Sequence, residues 1–111
     1  MAKKARSREL EALRAKIDLA TRAMLAAFKK RTDAAVRIGE KKATLGLPVR
    51  DSNREREVVR NAEKYAEKIG LSPKSARELA SFCIRKAREA EAKTAKRAKH
   101  AAAPRRPGKT L

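Results

Sequence analysis

The sequence predicts an all-α chain of three helices, and three observations carry that prediction. Four glycines and four prolines leave long stretches of the 111 residues without a breaker, in a composition rich in the helix formers Ala, Lys, Arg and Glu. Apolar residues recur at spacings of three, four and seven, the helical repeat. Turn and capping residues cluster at two interior places, near 45–52 and near 70–73, which divides the chain into three.

The first helix is expected from about Ser7 or Arg8 to about Lys42. Leu10, Leu13, Ile17, Met24, Phe28, Ala35 and Ile38 form its apolar stripe. It contains no proline, and Gly39 is a weak point near its end. Such a rod is roughly 50 Å long, more than two shorter helices of the same chain can cover, so a second chain is expected. Leu45-Gly46-Leu47-Pro48-Val49 breaks it. Ser52-Asn53-Arg54-Glu55 then reads as a capping box, with Ser52 at N-cap and Glu55 at N3. The second helix carries Val58, Val59, Ala62, Tyr65, Ala66 and Ile69 and stops at Gly70. Ser72 followed by Pro73 opens the third, a cap and then proline at N1. That helix buries Ala76, Leu79, Ala80, Cys83, Ile84 and Ala87 and runs to about Ala98.

The composition also limits function. Alanine makes up 23 of the 46 apolar residues, and there is no Trp, one Tyr and two Phe, so a monomer would have a thin core. One cysteine, Cys83, and one histidine, His100, exclude a disulfide scaffold and leave no cluster for zinc. No metal site is expected. No run approaches a membrane span and no signal-peptide core follows the basic start, which reads as a cytoplasmic protein.

The net charge of +18 is uneven. Residues 1–8 and 93–109 hold eleven Lys and Arg and no acid, whereas the middle carries 20 bases against 13 acids. Residues 1–6 are therefore read as a basic extension, 7–98 as the domain, and 99–111, with two prolines, as a disordered tail. Such tails give non-specific nucleic-acid affinity to almost any domain. No zinc finger, zipper or aromatic RNA-binding run argues for a dedicated role there.

Some charged residues do not fit a bland surface. Arg31 sits on the apolar stripe between Phe28 and Ala35, either snorkelling or held for an anion. Lys42, eleven residues on, points the same way to within about 20°. Arg14 is about 25 Å from Arg31 along the axis and about 100° round. One small ligand can touch both only if a second copy of the helix runs antiparallel beside the first. Asp51, Arg54 and Glu55 cluster at the start of the second helix, where capping and the helix dipole explain the two acids without excluding a ligand. Glu91 lies four residues after Ala87 on one face of the third helix and reads most simply as an i,i+4 partner for a nearby base.

Together these positions resemble the all-helical family of chorismate mutases. The matching text is Leu13-Arg14-Ala15-Lys16-Ile17-Asp18, Lys30-Arg31, Ile38-Gly39-Glu40-Lys41-Lys42, Gly46 through Glu55, and Gly70-Leu71-Ser72, spanning roughly residues 7–92. The resemblance implies an intertwined homodimer with two shared active sites that convert chorismate to prephenate without a cofactor. Carried over by position, Arg31 and the partner chain's Arg14 would bind the substrate's two carboxylates. Lys42 would hydrogen-bond the ether oxygen, and Asp51 (chiefly through its N–H) and Glu55 would hold the ring hydroxyl. Arg54 would line the pocket. The family's last helix usually offers a Ser and then a Gln, where this chain has Ala87 and Glu91; a Glu at the second place is a known variation that alters pH behaviour.

The chemistry suits such a site. A carbon–oxygen bond breaks as a carbon–carbon bond forms, with no nucleophile, so the protein must hold a flexible dianion in its reactive shape and place donors at the ether oxygen. The forked guanidinium suits carboxylates and the lysine serves as a point charge. Two other functions compete. An isochorismate-pyruvate lyase of the same fold would lack the full Asp51, Arg54, Glu55 set. For a small basic nucleic-acid-binding protein the discriminator is truncation: binding that vanishes with residues 93–111 while mutase activity stays would make the tail incidental.

Overall fold

The computed structural model describes the backbone of residues 2–102 and the side chains of 7–98, 100 and 101. Three helices account for most of it: α1 (Ala2–Leu45), α2 (Ser52–Ile69) and α3 (Pro73–Ala102). The outer ends differ from expectation. α1 begins before Ser7, because Ala-Lys-Lys-Ala-Arg is strongly helix-forming and a single serine weakens a helix by only a few tenths of a kcal/mol. α3 likewise continues past Ala98 through Lys99, His100, Ala101 and Ala102, so residues 99–102 are helical. The rest of the expected disordered tail, residues 103–111, lies outside the described residues.

Both interior helix ends close the same way. Gly46 (φ 68°) donates to the Ala43 carbonyl at 3.3 Å, while Leu47 donates to Lys42 at 2.8 Å. Gly70 (φ 75°) donates to Glu67 at 3.4 Å, while Leu71 donates to Ala66 at 2.9 Å. This is the paired 5→2 and 6→1 closure that satisfies the last carbonyls, and it needs a left-handed residue that glycine supplies without a Cβ clash. At the start of α3 the Ser72 hydroxyl accepts from the Ser75 N–H, with Pro73 first in the helix, as expected.

The start of α2 is shifted by one residue. Asp51, in extended conformation, is the N-cap, and its Oδ1 accepts from the Arg54 N–H at 3.0 Å. Ser52 is the first helical residue, and Glu55 sits one place beyond N3, so the expected capping box does not form. A carboxylate cap also carries the negative charge that a helix N-terminus favours, which decides between two adjacent capping types.

The chain divides into two compact units, Met1–Arg31 and Thr32–Leu111. The first is the leading part of α1. Its side chains Leu10, Leu13, Ile17 and Met24 are 47–63% exposed within the single chain. The second unit holds the end of α1, α2 and α3. Ion pairs between Glu63 and Arg77 and between Glu55 and Arg88 run α2 and α3 antiparallel about the Gly70 turn. Among the described residues the buried apolar side chains are alanines (Ala35, Ala66, Ala76 and Ala80), so the helices approach closely over little apolar area. Cys83 is half-buried on α3. No helix among the described residues is long and apolar enough to cross a membrane.

Gly39 marks a tight approach of α1 to α3. A Cβ there would lie 2.8 Å from the Glu91 carbonyl oxygen, 2.9 Å from its Cα and 3.1 Å from Cβ of Thr94. Two of those neighbours are backbone and cannot swing aside. Gly39→Ala would gain up to about 1 kcal/mol of helix propensity, but overpacking against backbone costs about 1–3 kcal/mol. The expected outcome is a net loss of stability, measured as a lower urea midpoint with an unchanged slope. A raised midpoint would show that the helices separate freely at this crossing.

Candidate active site

The second unit builds a polar site around the end of α1. The chain reversal at Gly46 swings residues 47–51 back along the last turn of α1 and presents the Val49 carbonyl to Lys42, whose Nζ donates to it at 2.6 Å. From α3, Oε1 of Glu91 accepts from the same ammonium, also at 2.6 Å. The two side chains are 19% and 12% exposed, and Glu91 is the buried charged residue of the described chain. A carboxylate so placed is tolerable only when paired, and a short charge-assisted bond supplies the pairing. The simpler expectation for Glu91, an i,i+4 base on its own helix, therefore gives way to a partner 49 residues away. An ammonium has three donors, and these two bonds leave one direction for a ligand acceptor.

A second cluster lies between the start of α2 and α3. Arg88 forks onto Glu55, with Nη2 donating to Oε1 at 2.8 Å and Nε to Oε2 at 3.2 Å. Arg50 Nε stands 3.8 Å from the same Oε1. Beside this pair runs an open groove of about 640 Å³ floored by Val59 and Ile84 and edged by Arg50, Arg56, Arg60, Arg85 and Arg88. The groove is strongly cationic, and anions are drawn to such a concavity.

The other expected site residues are placed as follows. Asp51 is exposed and occupied as the α2 cap. Arg54 is exposed, and its side chain pairs with Glu57 on the next turn. Ala87 is half-buried on α3, one residue before Arg88 and four before Glu91. Arg14 and Arg31 belong to the first unit. Arg14 is exposed and pairs with Glu11 at 2.7 Å, and Arg31 is exposed. Within the second unit, then, Lys42 and Glu91 meet directly, and Glu55 meets a residue that sequence reasoning passed over. Arg88 is one of 31 bases, and its only sequence signal is a position three residues before Glu91, on roughly the same helix face.

A family model described as chorismate mutase type II matches residues 13–92. The chain belongs to that family. The matched stretch takes in the two interior turns, Lys42, the Asp51–Glu55 segment, Arg88 and Glu91, and the three-helix fold is the family's. A 4-amino-4-deoxychorismate mutase of Streptomyces pristinaespiralis is 41% identical over 64 residues, covering 58% of this chain and 50% of that protein. The T-protein of Enterobacter agglomerans is 37% identical over 65 residues, covering 59% of this chain and 17% of its own length. The chain thus spans half or less of these curated relatives. No solved structure matches it significantly.

Proposed function

We propose that this chorismate mutase family member isomerises chorismate to prephenate by a cofactor-free rearrangement, in the cytoplasm and on the route to phenylalanine and tyrosine. The observation that carries the reading is the Lys42 ammonium, fixed between Glu91 and the Val49 carbonyl with a donor direction left over. As the carbon–oxygen bond of the substrate breaks, negative charge grows on the ether oxygen, and a donor fixed in advance stabilises that charge without reorganising. Glu91 assists at the same oxygen. Glu55 and the Asp51 N–H take the ring hydroxyl, Arg54 adds positive charge, and Ala87 lies against the substrate where a hydroxyl side chain would add a minor contact. Arg31 of one chain and Arg14 of the partner subunit bind the two carboxylates. Residues 7–98 form the catalytic domain, and the basic ends contribute only non-specific affinity for nucleic acid.

The test is direct. The purified chain should consume chorismate and form prephenate, and absence of prephenate with folded protein overturns the reading. The relative from Streptomyces favours a second substrate, 4-amino-4-deoxychorismate, which belongs in the same assay.

The shared-site part of the proposal rests on the exposed stripe of Leu10, Leu13, Ile17 and Met24, apolar area that a second α1 would cover. Arg14→Ala and Arg31→Ala chains should each be nearly inactive as homodimers. In the mixed dimer one site collects both lesions and the other neither, so activity should return to about half the wild-type value per heterodimer. A heterodimer verified by mass that stays inactive would show that each site is built within one chain.

A further inference from the structure

Arg88 ties α3 to α2, but its geometry exceeds what that link requires. The α2 cap is Asp51, a second ion pair between Glu63 and Arg77 links the same two helices, alanines on both are buried, and Arg88 itself is 38% exposed. Yet it crosses from α3 to grip both oxygens of Glu55, a carboxylate only 22% exposed, with a forked pair of bonds. Arg50 adds a second guanidinium on the same side. Glu55 therefore presents itself to the groove as a charge-compensated acceptor rather than as an anion.

The consequence concerns what Glu55 can hold. A carboxylate has about four lone-pair sites, and the fork uses two, so a neutral O–H still finds an acceptor. A substituent that is itself a cation needs something different: net negative charge facing it and no like charge nearby. An ammonium placed on Glu55 would be the third cation around one carboxylate, in a groove already edged by five arginines. Like-charge contact of this kind rejects a competitor even when the shape fits.

We propose that Arg88 is a specificity-determining positioning residue, which neutralises Glu55 so that the site accepts a substrate ring bearing a hydroxyl and rejects the analogue bearing an ammonium at that place. The inference rests on the reading above, in which Glu55 takes the ring substituent. It gives chorismate precedence over the 4-amino-4-deoxy compound for which the Streptomyces relative is named.

The experiment compares kcat/KM for chorismate and 4-amino-4-deoxychorismate in the full-length wild type, R88L, R88Q and R88K. Wild type should favour the hydroxyl compound. R88L and R88Q remove the forked cation from Glu55, and should raise the amine-to-hydroxyl ratio at least about tenfold. R88K keeps a cation there without the fork, and should hold the ratio near the wild-type value. A merely structural role would lower both activities together and leave the ratio alone. If R88L fails to fold, R88Q, of closer shape and polarity, decides the matter. An unchanged ratio in the folded neutral variant, or a wild type that prefers the amine, overturns the proposal while leaving mutase activity intact. A wild type that turns over neither compound overturns the functional reading and this inference with it.

Discussion

Lys42→Ala should lower kcat/KM for chorismate by roughly 10²–10³, the range found when a single donor to a developing oxyanion is deleted. Most of the loss should fall on kcat, because the contact strengthens as charge leaves the breaking bond. Stability must be separated from chemistry here. Removing the ammonium strands the Glu91 carboxylate, which is 12% exposed, and an orphaned buried charge of this kind costs about 1–3 kcal/mol or more of folding free energy. Lys42→Ala combined with Glu91→Gln takes away both charges, so the double variant should recover denaturation midpoint without recovering rate. Stopped-flow chorismate loss and urea unfolding on the two proteins check both halves. An effect on KM alone would reduce Lys42 to a substrate-binding charge.

The features legible in the sequence were those that depend on a few adjacent residues. Gly46, Gly70 and the Ser72-Pro73 pair act through local backbone geometry, and each ends or starts a helix where the pattern puts it. The start of α2 lies one residue earlier than expected because Asp51 and Ser52 are both competent caps. The cap at Asp51 leaves Glu55 one place beyond N3, and its carboxylate meets Arg88, 33 residues away, instead of closing a capping box. Gly39 shows the same limit. Its local meaning is a weak helix position, while its tertiary meaning, contact with the Glu91 backbone, depends on how α1 crosses α3. The outer ends of α1 and α3 ran further than expected because Ala, Lys and Arg carry no stop signal. Lys42 and Glu91 could be singled out separately, but their 2.6 Å bond is a product of the fold.

Glu91 should make the mutase lose activity as pH rises, and Glu91→Gln should remove that loss. An ether oxygen has only lone pairs to offer, so a side chain that assists Lys42 there must donate, and a carboxylate can donate only with a proton on it. In the unliganded chain Glu91 instead accepts from Lys42. Productive binding of a dianion therefore couples to proton uptake at Glu91. Because the protonated enzyme is the active one, kcat/KM should fall on the alkaline side as protons become scarce. Glutamine presents an N–H donor at every pH, in nearly the same shape, and its carbonyl can still accept from Lys42. That variant should match wild type at the acidic end of the profile and exceed it several-fold at the alkaline end. Glu91→Ala leaves Lys42 tethered to Val49 alone and should be roughly 10–100-fold slower throughout, the equivalent of about 1.5–3 kcal/mol for losing a hydrogen bond to a charged group. Superimposable profiles for wild type and Glu91→Gln would show that Glu91 only anchors Lys42, with no proton of its own in the reaction.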